Sequence, residues 1–212
     1  LEAYCRRLCD ECDQLQLQTV TRKIARDRDA FDLRLNQVYV PLDVRGGPAE
    51  NRFERDGLVA TRVPERPNRW PVAAAAAHYE RLVLLGDQGS GKSTFARHLT
   101  ACLAGEYVGS RRINANSLEA DWPHERVLPI FLPLREYAAG GLMEDQGLWE
   151  FLRGRLRAMQ DEHDGMDGLC SRIEDRLGDQ NGVLLILDGY DEVPDAARKR
   201  EKLRDALRVF AD

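Results

Sequence analysis

The most informative segment of the sequence is Gly86-Asp87-Gln88-Gly89-Ser90-Gly91-Lys92-Ser93. It matches the pattern G-x-x-x-x-G-K-[ST] and directly follows a short apolar run, Arg81–Leu85, which is typical of a buried parallel strand. After it, apolar residues recur at helical spacing, at Phe95, Leu99, Cys102 and Leu103. Glycines let successive N–H groups turn toward phosphate oxygens, and a helix N-terminus adds partial positive charge. The segment therefore predicts a phosphate-binding loop for a nucleoside triphosphate, most simply ATP with Mg²⁺.

Each polar residue of this loop has an expected role. Lys92 would reach the β- and γ-phosphates and assist catalysis, and the Ser93 hydroxyl would ligate Mg²⁺. The other expected phosphate contacts come from Gly86, Asp87, Gln88, Gly89, Ser90, Gly91 and Thr94. A glycine-rich turn without a ligand is the alternative reading, and the strand-before, helix-after context disfavours it.

A second apolar run, Val183–Leu187, also reads as a buried strand, and it ends in Asp188-Gly189-Tyr190-Asp191-Glu192. An acid at the carboxyl end of a parallel strand beside a phosphate loop is suited to the Mg²⁺ shell. We assign that role to Asp188, acting through a metal-bound water. Asp191 and Glu192 are candidates to orient and deprotonate the attacking water, and only one of them need do so. Alternatively, the two acids cap the helix that follows.

The N-terminal third of the chain is less regular. Leu1, Cys5, Leu8, Cys12 and Leu15 form one stripe of a helix. Gln37–Val44 favours an extended segment, and Pro41–Pro71 has the proline and glycine content of a linker. We therefore divide the chain into residues 1–71, a helical segment with a linker, and residues 72–212, part of a nucleotide-binding domain.

The remaining apolar patterns complete an α/β alternation. Val127–Leu134 reads as a strand whose two prolines favour an edge position. Two further amphipathic helices are marked by Leu148, Leu152, Leu156 and Met159, and by Leu203, Ala206, Leu207 and Phe210. Strands that alternate with helices predict an α/β fold with a parallel sheet.

Composition narrows the functional classes. A net charge of −5 does not indicate a nucleic-acid-binding protein, and no apolar run approaches the roughly 18 residues that a membrane helix needs. Five irregularly spaced cysteines do not resemble a disulfide framework, so we expect a reducing cytoplasm.

Several weaker patterns have an ordinary explanation. The spacing of Cys5, Cys9 and Cys12 suits an iron–sulfur cluster, but Cys5 and Cys12 lie on the apolar stripe and are better read as buried side chains. The acidic run from Asp161 to Asp167 is interpreted as a solvated loop, and Arg198–Lys202 as a solvated helix face. Arg135 fits equally a contact with a γ-phosphate or a neighbouring subunit, and a structural ion pair.

Taken together, Leu84–Thr94 and Leu185–Val193 resemble the NACHT branch of the STAND signalling ATPases, in which the acidic motif has the form Asp-Gly-x-Asp-Glu. Leu128–Glu136 resembles the second strand of these domains, and Val38–Leu42 the segment that precedes the phosphate loop in bacterial members. Gln88 and Tyr190 depart from the proline and leucine common in the family, without removing a phosphate or metal contact.

The resemblance implies a P-loop NTPase three-layer sandwich that works as a regulated switch. Members rest with ADP, exchange it for ATP when a C-terminal sensor is triggered, and self-associate to activate an effector, in bacteria often against phage. It also implies that Val38–Val44 lines the adenine side of the site. A further strand and a winged-helix region are expected in the family, so we expect the chain to be a fragment of a larger protein.

Two other functions fit the motifs. One is a small-molecule kinase, which would need an acceptor pocket and an arginine-bearing lid that the sequence does not display. The other is a nucleotide-binding scaffold with negligible turnover. GTP is less expected than ATP because the sequence has no Asn-Lys-x-Asp motif.

Overall fold

The computed structural model describes residues 1–15, 33–45, 69–141, 146–162, 168–177, 182–193 and 199–211. Its helices and strands are α1 (Glu2–Asp13), α2 (Leu35–Val38), β1 (Asp43–Arg45), β2 (Arg69–Pro71), α3 (Val72–His78), α4 (Lys92–Tyr107), β3 (Leu128–Pro133), α5 (Leu134–Ala139), α6 (Leu148–Glu162), α7 (Leu169–Leu177), β4 (Val183–Asp188) and α8 (Lys199–Ala211). Two 3-10 turns, Ala115–Leu118 and Tyr190–Glu192, are also present.

The parallel sheet consists of β3 and β4, whose pairing runs from Leu128 opposite Val183 to Pro133 opposite Asp188. Leu128, Ile130 and Leu132 of β3 are buried, whereas β4 is half-buried along its whole length. Within the described ranges β3 pairs only with β4, which suits its two prolines because proline has no N–H to donate to a second neighbour. The predicted α/β class with a parallel sheet is confirmed.

Helix α4 lies at the centre of the core. It buries the apolar side chains that predicted it, and it packs against β3, β4 and α1. In an α/β fold, packing a helix on a parallel sheet usually removes the apolar face of the helix and the apolar face of the sheet from water together.

Helix α1 packs against α4, and its cysteine–leucine stripe faces the core as predicted from Leu1 to Cys12, whereas Leu15 lies beyond the end of the helix. Cys5, Leu8 and Cys12 are buried, and the Tyr4 hydroxyl donates a hydrogen bond to the carbonyl of Pro129 at 3.2 Å. The N-terminal helix therefore shares one hydrophobic core with the rest of the described chain, while the division at residue 72 stays a prediction.

The predicted strand at residues 81–85 is wrong. These residues form no ladder, and Val83 and Leu85 are 80% and 90% exposed. A strand exists only when a neighbour accepts its N–H groups, and no described segment pairs with residues 81–85 or with the second edge of β4. An apolar run predicts burial, but it cannot supply the partner strand.

The segment before the phosphate loop also differs from its prediction. Gln37–Val44 was expected to be extended, yet Gln37 and Val38 close the single turn of α2 and only the later residues are extended. Strands β1 and β2 pair antiparallel at the two described ends of the predicted linker, and the linker's middle, residues 46–68, lies outside the described residues.

The remaining helices follow their apolar patterns. Helices α6 and α8 confirm the two amphipathic predictions, whereas α3, α5 and α7 were not anticipated. Asp161 and Glu162 end α6 rather than lying in a loop, and residues 163–167 lie outside the described residues. None of the helices in the described ranges combines the length and apolar character needed to cross a membrane.

Candidate functional site

The phosphate loop is exposed and leads directly into α4. Its backbone reverses at Ser90, whose N–H donates to the carbonyl of Asp87 at 3.2 Å. Gly89 and Gly91 have φ angles of 79° and 89°, a region that only glycine adopts at little cost. Gly91 is also the N-cap of α4, so the open N–H groups of the first helical turn face the loop.

Lys92 and Thr94 stand in the first turn of α4. The Nζ of Lys92 donates to the carbonyls of Gly86 and Asp87 at 2.7 and 3.0 Å, so its side chain bends back across the loop. The Lys92 ammonium group therefore lies beside Gly86, where the loop begins, although Lys92 itself follows the last glycine of the loop. Thr94 is exposed beside it.

The structure brings Ser93 and Asp188 together although they are 95 residues apart in sequence. The Ser93 hydroxyl donates to Oδ1 of Asp188 at 2.9 Å. Asp188 is the last residue of β4, and the carboxyl end of this strand lies beside the start of α4 because the helix packs on the sheet.

These two oxygens fit the requirements of Mg²⁺. Hydroxyl and carboxylate oxygens are the hard donors that the ion prefers. The Ser93 hydroxyl would ligate the ion directly with its free lone pair. The Asp188 carboxylate accepts the hydrogen of that hydroxyl at 2.9 Å and would hold a metal-bound water beside it.

The acidic motif forms a tight turn after β4. Gly189 has a φ of 80°, and the turn Tyr190–Glu192 follows it, with Val193 fully buried beneath. A Cβ built on Gly189 would lie 3.3 Å from Oε2 of Glu192, so the Glu192 carboxylate folds back over the residue next to Asp188. Asp191 and Glu192 lie in this 3-10 turn, and because residues 194–198 before α8 lie outside the described residues, the alternative that the two acids cap the following helix stays a prediction.

The segment before the loop touches it directly. A Cβ built on Gly91 would lie 2.9 Å from Cδ1 of Leu42, so the Leu42 side chain covers the last glycine of the loop. Tyr39 stacks on the His98 ring of α4 with centroids 3.8 Å apart. Both contacts tie the predicted adenine-side segment to the phosphate-loop helix.

Two arginines lie near the motif. Arg135 is exposed just after the end of β3, and its role stays a prediction. Arg200, interpreted from the sequence as part of a solvated face, is half-buried and bonds to the acidic turn. Sequence reasoning missed Arg200 because its partners are main-chain carbonyls, which leave no trace in residue types.

The cysteine motif at the N-terminus shows no sign of ligand chemistry. Cys5, Cys9 and Cys12 lie on one buried face of α1, and burial raises the pKa of the Cys5 and Cys12 thiols to about 12. Within the part of the chain that the structure describes, no three His, Cys, Asp or Glu side chains converge as metal ligands.

Comparison with known proteins identifies the family. The sequence model of the NACHT domain matches residues 80–210, more than half of the chain, and the match spans both the phosphate loop and the acidic motif. Neither the curated proteins nor the solved structures that were compared with the chain gave a match. The chain therefore belongs to the NACHT domain family and has the fold of a P-loop NTPase, a nucleotide-binding and nucleotide-hydrolysing module.

Proposed function

We propose that the chain is an ATP-driven switch that binds ATP with Mg²⁺, hydrolyses it slowly and controls self-association through its nucleotide state. The observation that best supports this proposal is the 2.9 Å hydrogen bond between Ser93 and Asp188. It joins the phosphate loop to the acidic strand end, the two parts that a P-loop NTPase must bring together.

In this proposal Gly86–Thr94 holds the phosphates through its N–H groups and the Lys92 ammonium. Ser93 and Asp188 hold Mg²⁺, which when bound offsets negative charge on the phosphate oxygens. Asp191 and Glu192 are the candidates to accept a proton from the attacking water. The position of the Glu192 carboxylate, folded over Gly189 beside Asp188, favours Glu192 of the two.

The base of the nucleotide would lie on the side of Val38–Val44. The support is the packing of Leu42 against Gly91, which places this segment at the rim of the phosphate loop. Val40 nearby is 72% exposed, so apolar surface is available for a purine ring to cover. We propose ATP rather than GTP as the natural ligand.

The wider roles rest on the family. We propose that ADP is the resting ligand, that a C-terminal sensor and an effector domain act together with this module, and that the protein works in cytoplasmic defence, such as defence against phage. The proposed domain division at residue 72 belongs to the same picture, with the family match beginning at residue 80.

The proposal is tested by comparing wild type with Lys92→Ala and Glu192→Gln in ATP turnover and in molar mass by light scattering. Lys92→Ala should lose nucleotide binding and stay unassembled. Glu192→Gln should bind ATP, turn it over at least roughly 100-fold more slowly and accumulate in the assembled form, because a general base contributes about that factor.

Glu201→Gln is the matched control, since Glu201 is an exposed acid that pairs at 3.9 Å with Arg204 on the same helix. Turnover and assembly that are the same in Glu192→Gln and in wild type would contradict Glu192 as the base, and turnover and assembly that are also the same in Lys92→Ala would contradict the switch. Fast turnover that depends on an added small metabolite would instead identify a phosphotransferase.

A further inference from the structure

Arg200 reaches from the first turn of α8 to the acidic turn. Its Nε donates to the carbonyl of Val193 at 2.9 Å, and its Nη2 donates to the carbonyl of Asp191 at 3.3 Å. The guanidinium group thus bonds to the main chain on both sides of Glu192. Two donors at a fixed angle are a property of arginine that lysine cannot reproduce.

The turn has little internal support of its own. The Glu192 N–H donates to the carbonyl of Gly189 at 3.2 Å, at the long end of the normal range, and the Val193 N–H donates to the carbonyl of Tyr190 at 3.4 Å, beyond that range. Gly189 at the start of the turn has a φ of 80° and no side chain to restrain the turn. The direction of the Glu192 side chain therefore depends on bonds from outside the turn.

Arg204 on the same helix provides a comparison, because its contacts are those of an ordinary surface arginine. Arg204, one turn further along α8, is 52% exposed, and its ion pairs within the described residues are with acids of its own helix, Glu201 at 3.9 Å and Asp205 at 3.6 Å. Such surface pairs contribute little to stability. Arg200 instead leaves its helix and satisfies carbonyls of the motif proposed to activate water.

We propose that Arg200 is a positioning residue for ATP hydrolysis, holding the Asp191–Val193 backbone so that the Glu192 carboxylate faces the attacking water. This inference rests on the proposed function. Because Arg200 bonds to the acidic turn and not to Gly86–Ser93, its loss changes the rate of the chemical step and leaves nucleotide affinity nearly intact.

The experiment measures the dissociation constant of Mg·ATP and the single-turnover hydrolysis rate for wild type, Arg200→Ala, Arg200→Lys, Arg204→Ala and Glu192→Gln. Arg200→Ala should slow the single-turnover rate by roughly 10-fold to 100-fold, the range that misplacement of a catalytic group by about 1 Å produces. Its dissociation constant should change by less than about 3-fold. Arg200→Lys should be intermediate, and Arg204→Ala should match wild type.

The outcomes separate this inference from the function on which it rests. Hydrolysis that needs Glu192 but is unchanged in Arg200→Ala overturns the role of Arg200 alone. Absence of hydrolysis in wild type overturns both. Equal losses of binding and hydrolysis in both Arg200 variants would assign Arg200 to general stability and also overturn the proposal. If a thermal unfolding scan shows that Arg200→Ala does not fold, Arg200→Lys decides. A wild-type single-turnover rate in Arg200→Lys would overturn the positioning role of Arg200, and a reduced rate would support it.

Discussion

Gly91 carries two separate constraints at one residue of the phosphate loop. Its φ of 89° disfavours any side chain, and a Cβ there would lie 2.9 Å from Leu42. Gly91→Ala should therefore lower stability by about 1–2 kcal/mol and also displace Leu42 or the loop, with loss of nucleotide binding. Urea unfolding and a fluorescent-nucleotide titration measure the two effects.

Gly109 provides the matched control for this prediction. It has a φ of 66°, but nothing lies within 4 Å of a Cβ built on it. Gly109→Ala should lose a similar amount of stability and bind nucleotide like wild type. Equal nucleotide affinity in both variants would show that the Leu42 contact does not matter for the site.

The sequence was informative at the residues whose chemistry depends on residue type. Lys92, Ser93 and Asp188 were predicted because phosphate and Mg²⁺ chemistry limits which side chains can serve, and the structure places Ser93 against Asp188. Leu42 could be named only as part of a segment, and Arg200 was misread. Leu42 packs against a glycine and Arg200 bonds to main-chain carbonyls. Such contacts depend on the path of the backbone, which residue types do not reveal.

At the scale of elements, apolar patterns predicted half of the described helices and half of the described strands, and the one predicted element that is not formed is a strand. Periodic apolar residues predicted α4 and α6 correctly, because a helix makes its own hydrogen bonds and needs only a surface to pack against. The run at residues 81–85 was equally apolar but forms no strand in the described structure, because its partner must come from another segment.

Helix α1 gives a direct test of burial at this scale. Burial raises the pKa of the Cys9 thiol from 9.0 to about 11 and that of Cys5 to about 12. At pH 8 both thiols are then almost wholly protonated, and only the thiolate attacks an alkylating reagent.

Iodoacetamide at pH 8 should therefore leave the α1 cysteines unlabelled in the folded chain, and label them after denaturation in urea. Mass spectrometry of the tryptic peptides reads the result. Rapid labelling of Cys5 in the native protein would show that α1 does not pack on α4 in solution.

At the scale of the whole molecule, a polar contact anchors the N-terminal helix to the nucleotide-binding core. Asp13 at the end of α1 is fully buried, pairs with Arg112 and accepts a hydrogen bond from the Asn36 N–H at 3.0 Å. The same arginine contacts Asp10 at 3.2 Å, but that carboxylate is 60% exposed. No pattern in the sequence predicted this link, because its partners are far apart in the chain.

Asp13 and Asp10 should differ in their contribution to the free energy of unfolding. Asp13→Asn should lower the free energy of unfolding by about 1.5–3 kcal/mol, since a hydrogen-bonded buried charge is lost. Asp10→Asn should cost less than about 1 kcal/mol, because exposed pairs are screened by water. Urea unfolding of both variants is the measurement, and equal losses would contradict the assignment of Asp13 as the anchor.

The switch itself is tested most directly by identifying the nucleotide that copurifies with the full chain, in wild type and in Lys92→Ala. After gentle purification and denaturation, chromatography of the released small molecules should show ADP or ATP from wild type at close to one per chain. The Lys92→Ala variant should release almost none while unfolding at a similar temperature. Finding no adenine nucleotide in wild type, or the same amount in both proteins, would contradict the account.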